Sequence, residues 1–168
     1  MKRLAITLAA ASALALTGCA KKPPAQLPPA PEQGNNEGAQ LPPSGPVPGS
    51  EEHFKSVMNG RDVIYFDTDK YDIDSDDAAA LRQQAQYLLQ YAQIRATIEG
   101  HCDERGTREY NIALGDRRAN AAKNYLVSLG VPAARLTTVS YGKERPAALG
   151  SDEASWAQNR RAVTVVLQ

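Results

Sequence analysis

The sequence predicts an α+β domain in which helices pack on one mixed, four-stranded sheet, and three observations support this. Four short apolar segments have the length of strands: residues 63–66, 95–99, 136–141 and 162–167. Segments with apolar residues at helical spacing lie between the first three strands. A shorter helix precedes the last strand. The order β-α-β-α-β-(α)-β is typical of helices packed on a sheet.

The first half of this domain contains a strand, a helix and a second strand. Residues 63–66 form a short buried strand. Ser75 is predicted to cap the helix, because a hydroxyl accepts hydrogen bonds from the first free N–H groups, and an acidic first turn follows. The apolar stripe of this helix consists of Ala80, Leu81, Ala85, Leu88, Leu89 and Ala92. Residues 95–99 form the second strand.

The second half contains a longer helix, two further strands and a short helix. Thr107 is predicted to open the longer helix, and Gly130 to end it, because glycine readily adopts the conformation that follows a helix. Strands at 136–141 and 162–167 flank a short helix at 155–160, in which Trp156 is interpreted as a packing residue. The stripe of the longer helix consists of Tyr110, Leu114, Ala121, Ala122, Tyr125, Leu126 and Leu129.

Residues 1–18 are predicted to be a signal peptide. Lys2 and Arg3 form a charged start, and residues 4–16 are a mostly apolar run of thirteen. Such a run is too short to span a membrane as a helix and suits a secretory signal.

The signal ends in Leu16-Thr17-Gly18-Cys19, which resembles the cleavage box of bacterial lipoproteins. The resemblance implies that Cys19 is acylated, with palmitate among the acyl groups, and becomes the first residue of the mature chain. No Asp follows Cys19, which by likeness to other lipoproteins implies the outer membrane, with the domain facing the periplasm. The alternative is an ordinary signal with a chance cysteine.

Residues 19–51 are predicted to be a disordered linker, and residues 52–168 a single domain. Nine of the eleven prolines lie in residues 21–50, a segment too poor in large apolar residues to offset its ordering entropy. With Cys19 acylated, Cys102 is left alone, so no internal disulfide is expected. The 19 basic and 19 acidic residues give zero formal net charge, which argues against nucleic acid as a partner.

Two charged residues near the second strand are candidates for a binding site. Arg118 lies on the apolar stripe of the longer helix, where a charge must be paired or line a cleft. Asp103 lies in the loop just before that helix. Together they suit a zwitterion, the carboxylate gripping an ammonium and the guanidinium a carboxylate. The alternative is an internal salt bridge between them that fixes the loop.

A spaced set of residues follows the second strand: Glu99-Gly100-His101, Asp103, Gly106, Tyr110-Asn111, Leu114-Gly115 and Arg118-Ala119. This set resembles the OmpA-like peptidoglycan-binding domain family, and the resemblance covers roughly residues 63–167. It implies a ligand, the diaminopimelate of peptidoglycan stem peptides, with its ammonium on Asp103 and its carboxylate on Arg118. Asp67, which follows the first strand, is a weaker ligand-binding candidate.

The resemblance further implies a non-covalent tether between outer membrane and cell wall. The expected partners are peptidoglycan, the periplasmic protein TolB and other Tol proteins of an envelope system that serves cell division and envelope integrity. No cofactor and no catalytic residue is expected. The alternative is chiefly a protein-docking module for TolB or another envelope machine, with wall binding secondary.

Two other chemistries fit the sequence poorly. The acidic run from Asp72 has Asp77 and Gln83 where a calcium-binding EF-hand loop needs Gly and Glu, so no metal site is predicted. Cys102 as a nucleophile would need a base, and the adjacent His101 is expected to point away from it on extended backbone. The sequence therefore predicts a binding protein rather than an enzyme.

Overall fold

The computed structural model describes residues 45–167. The predicted signal peptide, Cys19 with its predicted acylation, and the predicted linker as far as residue 44 lie outside the described residues. In the described part of the chain, no helix is both long and apolar enough to cross a membrane.

A mixed four-stranded sheet forms the scaffold, which confirms the predicted fold class. Its strands are β1 (Val63–Tyr65), β2 (Arg95–His101), β3 (Leu136–Gly142) and β4 (Arg161–Leu167), in the spatial order β1-β4-β2-β3. The β2–β3 pair is parallel, and β4 runs antiparallel to both β1 and β2. The register between β2 and β3 shifts at Gly100 and His101, where β2 ends beside the candidate site.

Within residues 45–167, four helices accompany the sheet: α1 (Glu51–Met58), α2 (Ser75–Gln90), α3 (Arg108–Ser128) and α4 (Glu153–Asn159), with a short 3-10 turn at Ala133–Arg135. Helix α1 is not predicted from the sequence. This helix has only eight residues and follows a proline- and glycine-rich stretch. Ser50 caps it by accepting a hydrogen bond from the His53 N–H at 3.1 Å, and Phe54 and Met58 anchor it in the core.

The start of α2 corrects the predicted cap by one residue. Asp74, not Ser75, is the N-cap, because one oxygen of its carboxylate accepts from the N–H groups of Asp76 and Asp77 at 2.9 and 2.8 Å. A charged acceptor at this position satisfies two free donors and also complements the positive end of the helix. Ser75 is the first helical residue.

Both predicted ends of α3 are confirmed. Thr107 is its N-cap and accepts from the Tyr110 N–H at 3.2 Å. At the other end Gly130 has φ +99°, and the N–H of Val131 bonds back to the carbonyl of Leu126. This is a Schellman ending, with the buried Val131 as its apolar contact.

One face of the sheet is buried and carries the core. Alternate residues of the two central strands, such as Ala96, Ile98, Ala162 and Val166, are almost fully buried on this face. Residues between them, such as Val163, are only half-buried. The core also draws on the helices, through Phe54, Met58, Leu81, Leu88, Ala119, Ala122 and Leu126.

A contact between two glycines sets the distance between α3 and the sheet. A Cβ built on Gly100 in β2 would lie only 1.8 Å from the carbonyl oxygen of Gly115 in α3. Strand and helix backbones therefore touch at this point. Because Arg118 lies one turn beyond Gly115, the contact brings its side chain under the end of β2.

Candidate binding site

A cavity of about 300 Å³ opens where β2 ends and α3 begins. Both Asp103 and Arg118 line it, as the sequence analysis expects. Its other lining residues come from the β1–α2 loop, the β2–α3 loop and the first turns of α3: Thr68, Asp69, Cys102, Arg105, Gly106, Tyr110, Asn111 and Leu114. Carboxylates and guanidinium groups thus share one small space.

Arg118 is fully buried and is held by backbone carbonyls. Its Nε donates to the carbonyl of Lys70 at 2.9 Å, its Nη1 to that of His101 at 2.8 Å, and its Nη2 to that of Asp67 at 3.1 Å. A guanidinium has five N–H groups, so one remains on each terminal nitrogen. The predicted alternative, an ion pair with Asp103, is not formed within residues 45–167.

Asp103 is buried and is paired with two other arginines. Arg105 grips both carboxylate oxygens, with Nε to Oδ1 at 3.1 Å and Nη2 to Oδ2 at 2.6 Å, and Arg160 approaches Oδ2 at 3.5 Å. Burial alone would raise the pKa of Asp103, but the hydrogen bonds from Arg105 and Arg160 outweigh it and hold the pKa below its ordinary value. The carboxylate is therefore charged near neutral pH.

The loop that carries Asp103 is fixed from three sides. The Asn111 amide donates to the carbonyls of Arg105 and Thr107 at 2.7 and 3.1 Å. Lys143 donates to two further carbonyls of the loop, at 3.0 and 2.7 Å. Trp156 donates to the Glu104 carboxylate at 3.1 Å. These contacts hold the loop in place on elements that pack against it.

Tyr110 corrects one expectation. The sequence analysis places it in the core, yet its side chain is 48% exposed and its hydroxyl donates to Asp69 Oδ1 at 3.0 Å across the cavity. Tyr110 lies in the first turn of α3, which extends beyond the core, so this end of the apolar stripe faces the cavity. Asp69 is a site residue that sequence reasoning misses. It has φ +59°, a backbone feature that no residue pattern reveals.

Asp67, the weaker candidate, lies elsewhere. Its carboxylate pairs with Lys70 at 2.8 Å at the surface and lines a neighbouring cavity of about 500 Å³ with Phe66 and Ile73. The hydrogen bond from Lys70, together with its positive charge, holds the pKa of Asp67 below its ordinary value. Only the backbone carbonyl of Asp67 reaches Arg118.

The segment Asn159-Arg160-Arg161 makes internal contacts. Arg160 donates to the carbonyl of Phe66 at 3.0 Å and to Glu153 at 2.7 Å in addition to its contact with Asp103. The Asn159 side chain accepts from the N–H groups of two residues in the β3–α4 loop, at 2.7 and 3.0 Å. Arg160 therefore links the back of the Asp103 carboxylate to α4.

His101 and Cys102 have separate surroundings. His101 is buried against the Tyr141 ring, and burial, with Arg161 and Arg145 nearby, lowers its pKa to about 4. Its Nε2 lies 3.4 Å from a Glu99 oxygen, and within the described residues neither ring nitrogen forms a hydrogen bond. Cys102 instead donates to the carbonyl of Asn111, and burial raises the pKa of its thiol to about 11. Among the described residues, the Cys102 thiol forms no hydrogen bond with a histidine.

Among residues 45–167, no three His, Cys, Asp or Glu side chains group in a way that could hold a metal ion. What the cavity offers is a set of fixed charges and hydrogen-bonding groups on a rigid frame. Such a set suits recognition of a small ligand that carries both charges.

Comparison with known proteins defines the class. The model of the OmpA family matches residues 65–160, more than half of the chain. The C-terminal domain of MotB from Helicobacter pylori has the same fold, with a TM-score of 0.58 at 19% identity over 63% of this chain and 84% of that one. The chain therefore belongs to the OmpA family.

Within that family the similar proteins include several called peptidoglycan-associated lipoprotein. The one from Rhizobium meliloti is 49% identical over 161 residues, covering 96% of this chain and 86% of the relative. The one from Agrobacterium fabrum is 48% identical, covering 97% and 85%. The crystal structure of the peptidoglycan-associated lipoprotein from Burkholderia pseudomallei is 52% identical with a TM-score of 0.61, covering 62% of this chain and 89% of that one.

Proposed function

We propose that this chain is an outer-membrane lipoprotein whose domain binds peptidoglycan non-covalently and so ties the outer membrane to the cell wall. The observation that carries the proposal is that Asp103 and Arg118 line the same cavity. The names of the relatives support the same ligand. The lipoprotein-like cleavage box that ends at Cys19 provides the membrane anchor, and the proline-rich linker lets the domain extend from the membrane to the cell wall.

The proposed ligand is the free head of diaminopimelate in the stem peptide, which carries an ammonium and a carboxylate on one carbon. Asp103 accepts from the ammonium. The two N–H groups that Arg118 has left, one on each terminal nitrogen, take the carboxylate. Asp69 and Tyr110, which are hydrogen-bonded to each other, also line the cavity and add polar groups around the ligand.

The magnitude suits a reversible link. Each charge-assisted hydrogen bond contributes about 1.5–3 kcal/mol, so the three proposed here, less the free-energy cost of association, give modest affinity for one stem. Many anchored copies that face one polymer still hold it firmly, because anchoring raises the effective concentration of each site. A wall that grows requires contacts of this reversible kind.

Titration calorimetry of the full chain in detergent with a muropeptide containing diaminopimelate tests the proposal. Asp103→Asn keeps the shape and removes the charge, and we expect binding at least about tenfold weaker. Asp67→Asn, which alters a carboxylate in the neighbouring cavity, is the matched control and should bind like the parent. A parent that folds and does not bind, or an Asp103→Asn variant that binds like the parent, would refute the proposal.

The proposed partners include TolB and the other Tol proteins, which would place the chain in the Tol–Pal envelope system of cell division and envelope integrity. The alternative function, chiefly a docking module for TolB with wall binding secondary, predicts TolB binding that Asp103→Asn leaves intact. If TolB uses the same cavity, a muropeptide should displace it. A ternary complex of chain, TolB and stem peptide would contradict shared use of the cavity.

A further inference from the structure

In the structure the carboxylate of Asp103 is already paired with the cationic side chain of Arg105. The guanidinium of Arg105 grips it through two nitrogens, at 3.1 and 2.6 Å, and also reaches the Thr68 hydroxyl at 3.2 Å. It lies over the Trp156 ring, with 4.3 Å from the guanidinium carbon to the ring centroid. Arg105 therefore stands where the proposed ligand would bring its ammonium.

The two arginines on Asp103 differ in their freedom to move. Arg160 is 7% exposed at its side chain, and its other nitrogens are bonded to a carbonyl and to Glu153. The side chain of Arg105 is 39% exposed. Its support is a stacking contact with Trp156, along which a planar guanidinium can slide. Arg105 is the partner that an arriving ammonium can displace.

Displacement has a different cost for two kinds of ligand. A plain amine would leave two cations, its ammonium and the guanidinium of Arg105, beside one carboxylate. Two like charges a few ångströms apart repel each other. An amino-acid head brings its own carboxylate on the same carbon. That anion lies close enough to offset the positive charge of Arg105 and of Arg118.

We infer that Arg105 is a specificity-determining residue: as the movable counter-ion of Asp103, it makes the cavity select an amino-acid head with both charges over a plain amine. The inference rests on the proposed function, because it concerns the same cavity and ligand.

The test compares two stem peptides on the full chain in detergent by titration calorimetry. One has the free diaminopimelate head, and the other has the carboxylate of that head converted to a carboxamide, which keeps the ammonium. We expect the parent to prefer the free head and Arg105→Ala to lose about fivefold of that preference, the factor for like charges about 4 Å apart in water. The loss should come from tighter binding of the amidated stem.

Two control variants are used. One tests whether losing any positive charge has the same effect, and the other tests whether the shape of the guanidinium matters. Arg108→Ala removes an equal charge from an exposed ion pair with Glu144, outside the cavity lining, and should keep the parental preference. Arg105→Lys retains a cation beside Asp103 and should keep most of the preference. Circular dichroism confirms that each variant is folded.

The outcomes are distinct. If Arg105→Ala keeps the full preference, or binds both stems more weakly than the parent, the inference is overturned, because Arg105 is then either idle or a direct support of the ligand. If the parent binds neither stem, the proposed function itself fails and the inference with it. Loss of preference in Arg105→Ala alone supports the inference.

Discussion

Replacing Gly100 with alanine should separate α3 from the sheet and weaken both the fold and the site. The new Cβ would lie 1.8 Å from the carbonyl oxygen of Gly115 and 2.6 Å from its carbonyl carbon. Real contacts of this kind are essentially never shorter than 3.0 Å, so the backbones must separate by about 1.2 Å. Neither backbone can yield by a side-chain rotation.

The expected cost is about 3 kcal/mol of unfolding free energy, the upper end for an overpacked core. With an m-value of about 1.5 kcal/mol per M, the urea midpoint should fall by about 2 M. The fluorescence of Trp156, the single tryptophan, reports the transition. The hydrogen bond from Arg118 to the His101 carbonyl, 2.8 Å in the parent, should lengthen, so affinity for the stem peptide should fall as well.

Gly45→Ala is the matched control, since a Cβ at this exposed glycine meets nothing within 4 Å. Its midpoint should stay close to that of the parent, because surface substitutions usually change stability by less than about 0.5 kcal/mol. A Gly100→Ala variant as stable as Gly45→Ala would refute the argument that the glycine contact sets the helix–sheet distance.

Three further predictions follow from buried groups. Because the pKa of His101 is about 4 when folded against an ordinary 6.5, the unfolded chain binds the proton first as the pH falls. Stability should therefore decrease by about 3 kcal/mol between pH 6.5 and 4, and His101→Phe should flatten that slope in pH-dependent urea unfolding. Arg118→Lys leaves at least one of three buried carbonyls without a hydrogen-bond donor and should lower the free energy of unfolding by about 1–3 kcal/mol in the same assay. Arg117→Lys, at the exposed neighbouring position, should leave that free energy almost unchanged. Cys102, whose thiol pKa is about 11, should resist alkylation at pH 8 until urea unfolds the chain, as measured by peptide mass spectrometry; rapid labelling of the native chain would contradict its burial.

The fold could be predicted from sequence where local chemistry and tertiary structure agree. Thr107 and Gly130 bound α3 because a hydroxyl cap and a left-handed glycine satisfy its free backbone groups whatever the neighbours. α1 escapes prediction because Phe54 and Met58 give it a single apolar pair, and its stability comes from the core it meets. Asp74 displaces Ser75 as a cap because two acceptable caps stand side by side.

The site could be predicted in part. Helical periodicity puts the charge of Arg118 among buried residues, and the structure buries it fully. Two of its three carbonyl partners, Asp67 and Lys70, come from the β1–α2 loop and the third, His101, from the end of β2, which no spacing within α3 reveals. Arg105 and Asp69 escape sequence reasoning for the same reason. A charged loop residue looks solvated until tertiary contacts bring it to a cavity.

We propose above all that the stem peptide occupies the cavity between Asp103 and Arg118. Intermolecular nuclear Overhauser effects between a labelled chain and a bound diaminopimelate-containing muropeptide test it directly. We predict contacts from the diaminopimelate side chain to the Leu114 methyls and the Tyr110 ring, which line that cavity. Contacts to Phe66 and Ile73 of the neighbouring cavity, or none with a bound ligand, would contradict the account.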